Sequence, residues 1–251
     1  MLKGVLRQVG LGPEGLRSTG LRPILGAPMV KVITFLKRKA GMPVEEFQSY
    51  WRTRHPEVVT RLPGVRRYVQ SHALLPVYAH DEPIYDGIAE VWADDTDALR
   101  AMTRSPGHAA VQADEARFID RASMGVIITE DHVIKDGPVP PDSVKRVAFL
   151  TRKPGLSVEA FQRHWPEVHG PIAATLPGLR RYVQSHTRRS AYDAGRVPAY
   201  DGVVLTWFDS TYAIRDAAAT PEYARVLADA GNFLAPGQTP SILTREHVIV
   251  A

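Results

Sequence analysis

KVITFLKRKAGMPVEEFQSYWRTRHPEVVTRLPGVRRYVQSH (residues 31–72) and KRVAFLTRKPGLSVEAFQRHWPEVHGPIAATLPGLRRYVQSH (residues 145–186) are one stretch written twice. Laid on each other without a gap, they are identical at 22 of 42 positions. After one inserted residue the match resumes, with Tyr85-Asp86-Gly87 on Tyr200-Asp201-Gly202, Trp92 on Trp207, and His132-Val133-Ile134 on His247-Val248-Ile249. A self-match at a fixed shift marks a duplication. The chain therefore divides into an extension (residues 1–29), repeat 1 (30–137), a Pro-rich linker (138–143) and repeat 2 (144–251). The join Gly137-Pro138-Val139-Pro140-Pro141-Asp142-Ser143 is semi-extended at about 3 Å per residue, enough to carry the chain roughly 20 Å between units.

Within each unit the hydrophobic period changes in a readable order. Val30 to Arg38 and Lys145 to Arg152 alternate like strands. A turn at Ala40-Gly41 or Pro154-Gly155 leads into a helix starting near Pro43 or Ser157, with Ser157 placed as an N-cap. Leu62-Pro63-Gly64 and Leu176-Pro177-Gly178 stop that helix. Strands are expected at Val65 to Leu74 and Ile84 to Ala93, helical sequence from Thr96 to Asp120, and a last strand near Val126 to Ile134. The order β-α-β-β-α-β is the ferredoxin-like split unit, an antiparallel sheet with both helices on one face. The bare face needs a cover, and the second repeat supplies it. The expected class is α+β, two ferredoxin-like repeats packed as a pseudo-dimeric α+β barrel, open to further homo-oligomerisation.

Composition narrows the chemistry. The chain has 251 residues, no cysteine, and a net charge of +4. Thiolate metal sites, iron–sulfur clusters, disulfides and cysteine nucleophiles are excluded together. Residues 1 to 29 carry Lys3, Arg7, Arg17 and Arg22 against Glu14, so the body holds 27 basic and 26 acidic side chains. A nucleic-acid binder needs a face that neutralises several phosphates, and only Arg66-Arg67, Arg180-Arg181 and Arg188-Arg189 offer local pairs; no nucleic-acid partner is expected. No apolar run approaches the roughly 20 residues of a membrane helix, and the extension lacks a signal-peptide core. A cytoplasmic location and a loosely ordered extension are expected.

Phe47, Trp51 and His55 are spaced by four, as are Phe161, Trp165 and His169, so each histidine shares a helix face with two large aromatics. Partial desolvation and a neutral-range pKa suit general acid–base work; a core histidine donating to a backbone carbonyl is the other reading. The Trp-x-x-x-His spacing survives in both copies while neighbours drift, and Pro56, Pro166 and Pro171 interrupt the helix around it. Tyr68, Gln70 and His72, with Tyr182, Gln184 and His186, share one strand face. That face is too polar for plain core and lines either a cavity or the margin between repeats. Asp86 and Asp201 precede glycines, either as carboxylates orienting the helix histidine or as turn residues bonded to nearby amides. His132 and His247 read as interface or surface. Glu90 aligns with Leu205, the first place to look for diverged sites.

The run Phe47-Gln48-Ser49-Tyr50-Trp51 through His55-Pro56, its counterpart Phe161-Gln162-Arg163-His164-Trp165 through His169-Gly170-Pro171, the Leu-Pro-Gly stops and the Tyr-Asp-Gly strand starts resemble the EthD domain of the dimeric α+β barrel superfamily. The resemblance spans Val30 to Ala251. It implies a small-molecule protein, with relatives linked to ether degradation and to dehydration or decarboxylation of aromatic polyketides, using no metal or organic cofactor. The helix histidine of the family maps onto His55 and His169. Copy two has His164-Trp165 in place of Tyr-Trp, so the sites need not be equivalent.

The expected function is a cofactor-independent enzyme, a lyase, isomerase or cofactorless oxidoreductase, acting on a hydrophobic oxygenated ring. Its expected catalytic residues are His55, His169, Asp86 and Asp201. Its expected substrate-binding residues are Phe47, Trp51, Tyr68, His72, Phe161, Trp165, Tyr182 and His186. The alternative is a non-catalytic barrel that binds a small molecule or assembles with a partner. No metal-ligand spacing, Gly-rich phosphate loop or Gly-x-Ser-x-Gly elbow is present.

Overall fold

β1 (Val30–Leu36) buries both of its faces. Ile33 and Phe35 join one apolar cluster, whereas Val30, Val32 and Leu36 join others beneath the helices. A strand covered on one side by helices and on the other by a second sheet has this pattern. The computed structural model describes residues 29–237 and 239–251; the expectation for residues 1–28 lies outside them. Repeat 1 continues with α1 (Val44–Thr53), α2 (Pro56–Val59), β2 (Arg67–Ala73), β3 (Gly87–Ala93), α3 (Thr96–Arg104), α4 (Pro106–Phe118) and β4 (Gly125–Lys135). Repeat 2 runs β5 (Val144–Leu150), α5 (Val158–His164), a π-helical turn at Trp165–His169, α6 (Gly170–Ala173), β6 (Leu179–Thr187), α7 (Arg189–Asp193), β7 (Gly202–Phe208), α8 (Thr211–Ala218), α9 (Pro221–Phe233) and β8 (Ser241–Val250).

Two expectations shift. The helix read from Thr96 to Asp120 is two helices, because Pro106 lacks an N–H and begins a new helix after extended Ser105. The strand read from Ile84 starts at Gly87. Ser157 caps α5 as expected, its hydroxyl accepting the Ala160 N–H at 3.1 Å.

The strands close into one barrel in the order β1-β3-β2-β8-β5-β7-β6-β4. The last strand of each repeat bridges to the other: β4 pairs with β1 over its first half and with β6 over its second, and β8 pairs likewise with β5 and β2, all antiparallel. No sheet edge is left open among the described residues.

The barrel interior is apolar at one end and charged at the other. Phe35 and Phe149 meet edge to face with centroids 5.4 Å apart, and Tyr85 and Tyr200 join them with hydroxyls 3.0 Å apart. Toward the other end, Lys31 reaches Glu90 at 3.1 Å, Asp131 at 2.8 Å and the Ser185 hydroxyl at 2.8 Å. Lys145 pairs with the same Glu90 and with Glu246, the latter at 2.8 Å. Glu90, Lys31 and Lys145 are each 1% exposed. Burial by itself would raise the Glu90 pKa, but Lys145 and Lys31 overcome it and hold the carboxyl at about 2. Glu90 therefore marks no divergence of a helix-side site, because strand alternation points it into the barrel. It is the shared anion between the two repeats.

Glu90→Leu, which copies Leu205, should cost about 3 to 5 kcal/mol, since two ammonium groups lose a buried counter-ion; equilibrium unfolding in urea measures it. A chain of residues 30–136 alone should self-associate, because half of the barrel wall is missing, and sedimentation equilibrium that finds a stable monomer contradicts the pairing scheme.

Candidate active site

The helix carrying the aromatic–histidine face changes its hydrogen-bond step at the histidine. The Tyr50 carbonyl accepts from both Arg54 N (2.9 Å) and His55 N (3.2 Å), and Pro56 begins α2 with no N–H to give. Widened turns of this kind recur at functional sites. The Trp51 carbonyl, which His55 would normally use, accepts instead from Gln70 Nε2 at 2.8 Å. Repeat 2 does the same through its π-helical turn, where the Trp165 carbonyl accepts from Gly170 N and from Gln184 Nε2 at 3.0 Å.

This widening turns each histidine toward the second long helix of its repeat. His55 Nδ1–H donates to Asp114 Oδ2 at 2.8 Å, and the Tyr50 hydroxyl donates to Asp114 Oδ1 at 2.6 Å. His169 Nδ1–H donates to Asp229 Oδ2 at 2.9 Å, with His164 and Asn232 on the same carboxylate. Phe118 and Phe233 flank the rings, with centroids 5.1 and 4.8 Å away. Burial lowers the pKa of both histidines, and the aspartate partners only partly offset it. A neutral imidazole bound to a carboxylate through Nδ1–H leaves the Nε2 lone pair free.

Asp114 and Asp229 were missed in the sequence. Their signal was the internal match: Asp114-x-x-x-Phe118 falls on Asp229-x-x-x-Phe233, and Asp114 is the one charged residue that this helix keeps in both repeats. Asp86 and Asp201 do not orient the histidines. Asp86 accepts the Arg38 backbone N–H at 2.7 Å, pairs with the Arg38 guanidinium and accepts the Tyr78 hydroxyl at 2.6 Å. Asp201 repeats this with Arg152 and Tyr192. Both pin the end of the first strand to the start of the third. The glycine that follows each aspartate makes room for an indole. A Cβ at Gly87 would lie 2.6 Å from Trp51 Cζ3, and one at Gly202 would lie 2.5 Å from Trp165 Cζ3.

The polar strand face is divided in two. Tyr68 receives Trp51 Nε1–H at 3.3 Å and Gln70 Nε2–H at 2.8 Å, and it reaches the helix–sheet space. His72 stacks on Trp51 with centroids 4.2 Å apart and donates to Gln70 Oε1 at 2.9 Å. Its other neighbour is His247 across the β2–β8 seam, which contacts Arg52. Burial, with His247 and Arg52 nearby, drives the His72 pKa down to about 2. His186 matches it: it stacks on Trp165 beside His132, and burial takes its pKa down to about 3. These two histidines belong to the seam between repeats. Tyr182 receives Trp165 Nε1–H in the same way.

Between the sheet and helices of repeat 1 lies a cavity of about 160 Å³. Its wall is mostly Val, Leu, Ile and Met, and into it project His55, Trp51, Tyr68, His108, Glu115 and Arg121. Phe47 does not line it; it is fully buried in the cluster that supports Trp51, as Phe161 supports Trp165. In repeat 2, Arg146 replaces Val32 of the cavity wall, and Ala230 replaces Glu115. Burial lowers the Arg146 pKa. Among the described residues no group of three or more His, Asp and Glu is placed to hold a metal ion, and no helix is long and apolar enough to cross a membrane.

A profile of the EthD domain matches residues 39–122 and again 153–237. The chain belongs to the EthD family. The two EthD matches each enclose a Trp-x-x-x-His helix and its aspartate partner. No curated protein sequence matches the chain. Among solved structures, an anthrone oxidase-like protein superposes with a TM-score of 0.62 at 12% identity, covering 88% of this chain and 93% of that one. A provisionally assigned monooxygenase from Fusobacterium nucleatum gives 0.56 at 8% identity over 90% and 95%. A mutant chlorite dismutase from Candidatus Nitrospira defluvii gives 0.54 at 10% identity over 89% and 93%. At these identities the likeness is one of fold: the tandem EthD protein is a pseudo-dimeric α+β barrel.

Removing the Asp114 charge should lower the His55 pKa further, because the carboxylate is what raises it against burial. Asp114→Asn followed by NMR titration of the imidazole should show that shift, and Asp86→Asn should leave the His55 titration where it is.

Proposed function

We propose that the repeat 1 cavity is an active site in which His55 takes a proton from a small, mostly apolar, oxygenated ring compound. The observation that carries this reading is the coincidence of a free Nε2 lone pair, fixed by Asp114 through Nδ1, with a largely apolar cavity. At about 160 Å³ that space is close to the roughly 150 Å³ apolar cavity known to admit benzene, so it takes one ring, with any further ring toward the mouth. Trp51 and the aliphatic wall hold the ring by contact, and the Tyr68 hydroxyl offers a polar group for its oxygen. The imidazole is neutral at physiological pH, the form a general base requires.

Proton removal next to a ring carbonyl is the common first step of enolisation, dehydration, decarboxylation and isomerisation, and it also yields the carbanion from which a cofactorless reaction with oxygen starts. The step itself needs neither a metal nor an organic cofactor. The His169–Asp229 pair is a second dyad of the same geometry, but repeat 2 sets the Arg146 guanidinium where repeat 1 has Val32. Repeat 1 is therefore the principal site.

Deuterium exchange at the α-carbon of β-tetralone in deuterium oxide measures the step directly. His55→Gln should slow catalysed exchange by roughly 10²- to 10⁴-fold with the affinity for the ketone little changed, and His169→Gln should slow it far less. A His55→Gln protein that melts early yet exchanges as fast per folded molecule would leave His55 a packing residue.

A further inference from the structure

The cavity of repeat 1 contains a second ionisable group that the His55 reading leaves unused. Glu115 follows Asp114 on α4, and the step of about 100° between neighbouring helix residues sends Asp114 to His55 and Glu115 into the cavity. No hydrogen-bond donor meets its carboxyl among the described residues. The charged or titratable groups around it are Asp114 and His108 on its own helix, Arg121 beyond that helix, His55 from the α1–α2 junction and Tyr68 from β2. β1, β3, β4 and α3 present only aliphatic, thioether and threonine side chains. Burial pushes the carboxyl up to about 7, with Arg121 opposing and Asp114 adding to the rise.

The fold does not need this group. Repeat 2 builds the same helix with Ala230 at the matching position, Tyr223 for His108 and Pro236 for Arg121. A carboxyl half-withdrawn from water without a partner weakens a protein, so its presence in the wall of the repeat 1 cavity calls for a chemical role.

We propose that Glu115 is the second proton-transfer residue of this site, and that the substrate is a ring ketone whose oxygen it protonates while His55 Nε2 takes the proton from the adjoining carbon. The inference rests on the His55 reading and names the substrate class for it. The C–H bond breaks and its electron pair becomes the C=C bond of the enol. The carbonyl π pair takes the Glu115 proton and becomes O–H. The cavity is left with an imidazolium and a carboxylate, so its net charge does not change, and a proton returning from His55 to Glu115 through water resets the pair. Conversion of the enol back to a ketone uses the same two groups in the opposite order.

The working form has His55 neutral and Glu115 protonated. The rate should rise as pH climbs through the lowered His55 pKa and fall above about 7, where Glu115 ionises. Glu115→Gln should slow α-deuterium exchange into β-tetralone by roughly 10²-fold, change its KM little, and abolish the alkaline fall. Glu115→Asp should keep that fall. A Gln variant with the wild-type rate and the same alkaline fall overturns the proposal. If exchange is lost in His55→Gln but not in Glu115→Gln, the inference fails and the His55 reading stands; if the wild type binds the ketone without exchanging it, both fail.

A second measurement needs no substrate. A carboxyl whose pKa is raised on folding loses the protein stability as pH rises from about 4.5 through 7, and a glutamine at that place does not. Glu115→Gln should therefore melt several degrees above the wild type at about pH 8 and equally at about pH 4. Equal melting at both shows a solvated carboxylate and removes Glu115 from the site.

Discussion

The sharing of last strands between repeats is the constraint on which the molecule depends. The first half of β4 pairs with β1 of its own repeat and the second half with β6, and β8 is shared in the same way between β5 and β2, so neither repeat can pair both edges of its sheet alone. Closure brings the inward faces of both sheets together and with them Lys31 and Lys145, which occupy matching positions and would repel if unaccompanied. One carboxylate, Glu90, serves both. In a symmetric dimer of single units the glutamate would appear twice. Fusion into one chain permits Leu205 at the second position, and the asymmetry of the interior follows: the Ser185 hydroxyl is bonded to Lys31, whereas the Ser71 hydroxyl has no partner among the described residues.

The barrel wall then sets the depth of the helices. Trp51 lies against Gly87, where any Cβ would collide with it, and stacks on His72 from the seam. The Gln70 amide ties the freed Trp51 carbonyl to the sheet. These contacts anchor the helix just before His55, and the widened turn then presents the imidazole to Asp114 and to the cavity. His72 and His186 at the two seams are held uncharged by burial, so they contribute packing and a hydrogen bond, not proton transfer.

Duplication released the two helix-side spaces to drift apart. Both keep the aromatic scaffold, the widened turn and the His–Asp pair, because these also hold the helix on the sheet. The residues that differ are those facing the space between: Val32 against Arg146, Glu115 against Ala230, His108 against Tyr223. A scaffold under packing constraint and a lining free of it diverge at different rates, and the lining is where the repeats differ in chemistry.

The self-match, the β-α-β-β-α-β order and the buried Trp-x-x-x-His face were legible in the sequence, because periodicity and repetition are local or one-dimensional properties. What crowds Gly87, the Ser71 carbonyl and the Trp51 indole, was not legible there. Nor was the partner of the histidine. Asp86 stands in a conspicuous motif, yet its carboxylate is bonded to the end of the first strand, whereas Asp114 comes from a helix 59 residues beyond His55. Likewise Glu90 reads as a strand carboxylate that could serve a site, and only the closed barrel sends it inward to two lysines from different repeats. Sequence determines which faces are apolar and which polar groups exist. Tertiary structure decides which of those groups meet, because a hydrogen bond or ion pair depends on distances between elements that no local pattern contains.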